Sequence, residues 1–259
     1  MTLVLIIGLA MTAVALTFAG RRAAYLYRLI THGQPAPDRV EGVTGRVGRA
    51  VKTQLAEVFG QRKLLQWSIP GAAHFFVFWA FVILGSVYLE AYGALFSPEF
   101  HIPVIGTWPI VGFAQDFIAV MCLFGIVTFA VLRIQQSPQR LGRNSRFSRS
   151  HTGGAWLVLF MIFNVLWTLF FFRSAASALG NLPYDSGAFI SIGLGNLLDG
   201  LPHSTLEVME GLGLLLHIGV MLVFLIDVLH SKHLHIFLAP LNVLFKRQPV
   251  ALGSAKPLM

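Results

Sequence analysis

Residues 206–240 read LEVMEGLGLLLHIGVMLVFLIDVLHSKHLHIFLAP, and this stretch decides the fold. From Leu206 to Leu229 the side chains are apolar or small except Glu207, Glu210, His217 and Asp227. About 20 such residues, at about 1.5 Å each, cross the hydrocarbon core of a bilayer. Residues 206–229 therefore read as a transmembrane helix. Working outward, the same reading applies to four more runs, at about 3–20, 66–95, 108–132 and 154–172. The expected fold class is all-α: a polytopic membrane protein with a bundle of five transmembrane helices. Residues 1–245 form one membrane domain, and 246–259 form a C-terminal tail or the start of a linker.

Composition agrees. Only 12% of the 259 residues are charged, against roughly a quarter in soluble domains, so a water-exposed surface of this size could not be covered. The 22 Phe suit a lipid-facing surface. A formal charge of +8 raises the question of nucleic acid. The basic residues lie between apolar runs rather than on one soluble face, which excludes that class and makes them topology determinants. Of the 19 Lys and Arg, 18 fall after the first, third and fifth runs, and only Arg173 falls on the other side. The N-terminus is expected outside the cytoplasm and the C-terminus inside, in the cell membrane of a bacterium. The first run meets Arg21–Arg22 after its apolar stretch rather than before it, as a retained anchor would and a signal peptide would not. Five spans cannot split into equal halves, which weakens a transporter built from inverted repeats. The single cysteine, Cys122, can form no internal disulfide. Nor can it hold an iron–sulfur cluster, which takes about four thiolates. A cluster is expected only in a partner or in a downstream domain.

Nine histidines carry the functional reading. His32, His101, His151 and His203 lie in or beside loops and read as surface. His74 and His217 lie inside apolar runs, where ionisable groups are rare and mark function. On a continuous helix His217 and His235, 18 residues apart, share one face about 27 Å apart along the axis. His74 and His235 both lie near the inner membrane face, which matches them in depth as axial ligands of a haem held between two helices. His217 is too far outward to pair easily with His74. Gly71, Gly85, Gly213 and Gly219 read equally as room for a flat macrocycle and as small-residue helix packing.

The five-helix layout, His217 followed by SKHLHIFLAP with His235 and Pro240, and the stretch RSHTGGAWLVLF at 149–160 resemble the gamma subunit of respiratory nitrate reductase and the cytochrome b subunits of heterodisulfide-reductase-type complexes. The chain is most similar to the N-terminal membrane domain of actinobacterial-type iron–sulfur oxidoreductases, which link an electron-transfer flavoprotein to menaquinone. The resemblance implies that His74 and His235 ligate a haem b nearer the cytoplasm and that His217 is one ligand of a second. That haem's other ligand position is Leu84 here, a departure from the family pattern. It further implies a membrane part of a quinone-linked oxidoreductase, carrying electrons between a cytoplasmic iron–sulfur protein or electron-transfer flavoprotein and menaquinone or ubiquinone. His217, Asp116, Glu210 and Tyr88 are the candidates for proton exchange with quinone. Asp227 reads as one half of an ion pair with Lys232, His230 or an inner-loop Arg. The alternatives are a haem-free transporter with a proton path through His217, Asp116 and Glu210, or a plain anchor for a soluble dehydrogenase.

Overall fold

The computed structural model describes all residues except Met1, Ala36, His151, Asp185 and 247–259. The tail read at 246–259 thus lies outside the described residues apart from Lys246, as do His151 and Asp185. The chain is 79% helix, with no strand among the described residues. Among the described residues, five helices are long and apolar enough to cross a membrane: α1 (Thr2–Thr31), α2 (Ser68–Ala94), α3 (Pro109–Gln135), α4 (Thr152–Leu179) and α5 (His203–His230).

α5 packs on α4 and α1, α2 on α3, and the two groups meet where α2 touches α5 and α3 touches α4. Small residues make the close approaches. A Cβ on Gly213 of α5 would lie 2.9 Å from the Phe172 backbone of α4, and one on Gly125 of α3 would lie 2.9 Å from the Ala73 carbonyl oxygen of α2. The core between α1, α2, α4 and α5 is built from Ala15, Ala91, Leu95, Phe172, Leu214 and Ile218. The outward faces are apolar too: Phe124 is 63% and Phe160 62% exposed, as lipid contact requires. Trp67 and Trp108 stand at the N-termini of α2 and α3 and are exposed, at opposite ends of the antiparallel pair, where amphipathic rings favour the interface.

Two boundaries differ from the expectation. α1 runs on through Arg21 to Thr31 because neither Gly nor Pro occurs between Arg21 and His32, and Arg22 Nε donates to the carbonyl of Leu229 (3.2 Å) in the last turn of α5. That satisfies one of the acceptors a helix end leaves unpaired. α5 stops at His230: Ser231 is extended (φ −111°, ψ 178°), a 3-10 turn follows over Lys232–Leu234, and a separate helix spans His235–Leu244. The shared helical face expected for His217 and His235 therefore does not exist, because it required one continuous helix. The basic segment before α2 folds into short helices at Pro37–Thr44, Val47–Thr53 and Arg62–Leu65, with a π-helical turn at Gln54–Phe59. The segment before α5 holds a helix at Phe189–Asn196.

Candidate functional site

At the Arg-rich end of the bundle, the break after His230 turns the chain back toward α2. His235, the first residue of its short helix, comes to face His74, the seventh residue of α2, with ring centroids 6.4 Å apart. Two imidazoles that share one metal ion through Nε2, at bonds of about 2.0–2.1 Å, stand with centroids roughly 6 Å apart. The spacing therefore fits a bis-imidazole metal. Both rings are also oriented from behind. His74 Nδ1 is 2.8 Å from Gln61 Oε1, and His235 Nδ1 is 3.1 Å from the Lys232 carbonyl oxygen. Each acceptor takes the proton of Nδ1 and so leaves the Nε2 lone pair for a metal, the outer-shell arrangement that ligating histidines use.

Gln61 is 3% exposed and sits at φ 46°, ψ 34°, in the left-handed region that non-glycine residues seldom adopt. It precedes the helix Arg62–Leu65, which lies against the start of α2. There Gly71 is required, since a Cβ would fall 2.1 Å from the Leu64 carbonyl oxygen. Gly71, Gly213 and Gly219 thus all face protein neighbours, Gly219 approaching the Met11 side chain; only Gly85 faces open space.

The segment around Gln61 is clamped to the segment around His235. Gln54 Nε2 donates to the Pro240 carbonyl (2.6 Å), and Glu57 pairs with Lys246 (2.6 Å) and Lys63 (3.1 Å). The hydrogen bond from Lys246 holds the Glu57 carboxyl below its ordinary range, against the opposing effect of burial. Phe59 meets Phe78 and Trp79 of α2, so aromatic rings close this side. His233, with its ring 5.9 Å from that of His235, has its imidazole pushed down to about 4, chiefly by burial.

The other expected site residues do not join this pair. His217 is 2% exposed, and its Nδ1 lies 3.2 Å from Thr168 Oγ1 of α4. It lies 13 residues before the end of α5 at His230, about 20 Å along the axis. Leu84 packs in the α2–α3–α4 core. Asp116 is fully buried and occupied: Oδ2 accepts from the backbone N–H of Ile190 and Ser191, and Oδ1 from Ser191 Oγ. It therefore caps the helix Phe189–Asn196. Glu210 accepts from Asn181 Nδ2 at 3.1 and 3.0 Å. Tyr88 donates to Tyr92 (3.3 Å), which meets Thr12 Oγ1 of α1 at 2.7 Å. The ion pair expected for Asp227 does not form: its Oδ2 is buried without a hydrogen-bond partner, and no cation lies within pairing distance among the described residues.

One cluster was missed in the sequence. Arg173, expected at the start of a loop, is 1% exposed inside α4, because FRSAASAL contains no breaker before Gly180. Its guanidinium donates to Gln115 Oε1 (2.7 Å) and Ser191 Oγ (3.0 Å), and approaches Glu90 (3.5 Å) and Asp116 (3.8 Å). Tyr184 donates to Glu90. One cation thereby ties α2, α3, α4 and the 184–191 segment together at the end opposite the histidine pair. Glu90 and Asp116 at similar depth on neighbouring spans were the available signal.

Fold and site together define a class: an all-helical, multi-pass membrane protein with two opposed imidazoles at its basic end. Over 198 residues, 75% of its length, the chain is 24% identical to a Bacillus subtilis (strain 168) protein described as probable iron-sulfur-binding oxidoreductase FadF. The chain spans 26% of that protein's length. No family model and no solved structure matches.

Proposed function

We propose that this chain is the membrane electron-transfer part of an oxidoreductase and holds one b-type haem between His74 and His235. The observation that carries this reading is the 6.4 Å separation of the two rings, with Nδ1 of each engaged from behind. Bound there, a haem supplies one-electron chemistry. The chain's own residues bind and orient: His74 and His235 present Nε2, Gln61 and the Lys232 carbonyl fix the tautomers, and Phe59, Phe78 and Trp79 exclude water on one side.

The basic loops around 21–65 and 133–150 are the proposed docking face for a cytoplasmic iron–sulfur protein or electron-transfer flavoprotein. Menaquinone or ubiquinone is the proposed membrane-side substrate. Of the candidate proton groups, Asp116 and Glu210 are held by internal partners. Tyr88 belongs to a hydroxyl line through Tyr92 to Thr12 that joins α2 to α1, and is the proposed proton group. Among the described residues His217 meets no second imidazole, so one haem is proposed.

The test is a dithionite-reduced minus oxidised spectrum of the purified chain, followed by addition of a naphthoquinone. A b-type spectrum that the quinone reoxidises supports the reading. A colourless protein from a host well supplied with haem contradicts it, and leaves a transporter or an anchor.

A further inference from the structure

A second feature of the basic end is independent of the histidine pair. Where α3 leaves its apolar run, a pocket of about 240 Å³ opens between the end of α3, the 137–147 loop and the start of α4. Arg133, Arg140, Ser137, Phe147 and Trp156 line it, and among the described residues no acidic one does. Arg133 is fixed with its guanidinium 4.7 Å over the Phe147 ring, yet its Nη1 is buried without a hydrogen-bond partner. A buried donor on a cation, left unpaired, is costly. The pocket thus lacks an anion.

The surroundings say which kind. Val127, Val131 and Ile134, spaced along one face of α3, are 51%, 45% and 54% exposed, and Trp156 of α4, 38% exposed, lines the pocket beside Ile134. This apolar surface leads directly to the pocket, whose own lining includes Ile134 and Trp156. A ligand with an anionic head and long apolar chains fits both parts. Basic pockets between transmembrane helices bind such headgroups.

We propose that the Arg133–Arg140 pocket binds the phosphate of an anionic phospholipid, with its acyl chains on the Val127–Val131–Ile134 face of α3. The guanidinium of Arg133 meets the phosphate inside the pocket, Arg140 covers it from the exposed loop, and the Ser137 hydroxyl is available as a neutral donor.

The test is native mass spectrometry of the delipidated, detergent-purified chain with phosphatidylglycerol or phosphatidylcholine, beside a thermal-shift series in inorganic phosphate. The wild type is expected to retain phosphatidylglycerol about tenfold or more over phosphatidylcholine, in line with two cationic contacts. R133Q with R140Q is expected to abolish the preference. R21Q with R28Q, which removes the same charge elsewhere, is expected to keep it. Should R133Q impair folding, R140Q alone, on the exposed loop, is expected to reduce the preference severalfold. No preference in the wild type, or an unchanged one in R140Q and the double variant, would overturn the site. Stabilisation by millimolar inorganic phosphate without lipid retention would overturn the lipid as its source. None of these readouts requires haem, so they stand or fall apart from the proposed electron-transfer role.

Discussion

Gln61 Oε1 lies 2.8 Å from His74 Nδ1, and this contact fixes which nitrogen of the ring faces His235. Gln61 is therefore a positioning residue. Gln61→Ala is expected to lower haem retention about tenfold or more, the usual effect of losing a partner behind a ligating histidine. Gln61→Glu keeps an acceptor there; it is expected to retain haem and to lower its midpoint potential. Haem content and a redox titration check both, and a Gln61→Ala protein with wild-type content and potential would remove Gln61 from the site.

Gly71 acts one step further back. A Cβ would collide with the Leu64 carbonyl, so Gly71→Val should displace the helix Arg62–Leu65 and with it Gln61. The expected outcome is the Gln61→Ala phenotype with an added stability loss of about 1–3 kcal/mol. Thermal unfolding in detergent, read beside haem content, separates the two effects. Gly85→Ala, in open space, is the control and should change neither.

How much of this was legible in the sequence follows from what each feature depends on. The five spans are set by apolar run lengths, which are local. The opposition of His74 and His235 was reached by matching depths, and the structure brings the two rings together. The premise of one helical face for His217 and His235 was wrong, since Ser231 adopts an extended conformation that no residue in HSKH demands. Gln61 carried no signal: its role depends on a left-handed backbone conformation and on packing across Gly71. Arg173 was readable in part, because the helical pattern continues past it, but its three-span network is a property of packing.

Arg173 gives a stability prediction. Arg173→Met leaves Glu90 and Asp116 buried without their cation, and should destabilise the bundle by about 3–5 kcal/mol. Combining it with Glu90→Gln and Asp116→Asn removes the stranded charges and should recover a large part of that loss. Unfolding midpoints measured in one detergent check this; additive losses would show that the three side chains do not act as one network.

The clamp near the histidine pair gives a pH dependence. The Glu57 carboxyl is held below its unfolded value by Lys246 and Lys63. A group with a depressed folded pKa adds stability that is present above the unfolded value, 4.5, and is lost as pH falls through the folded one. The pairs are partly exposed, so the contribution is about 1 kcal/mol or less. Wild type and Glu57→Gln should therefore differ in unfolding midpoint at pH 7 and converge below pH 4.5. A constant difference across that range would contradict the assignment.

Whether His74 and His235 together hold one haem is decided by a pyridine haemochrome assay on the purified wild type beside His74→Ala, His235→Ala and His217→Ala. About one haem b per chain is expected in the wild type and in His217→Ala, and its loss in either of the other two. Full haem content in both His74→Ala and His235→Ala, or loss in His217→Ala alone, would contradict it.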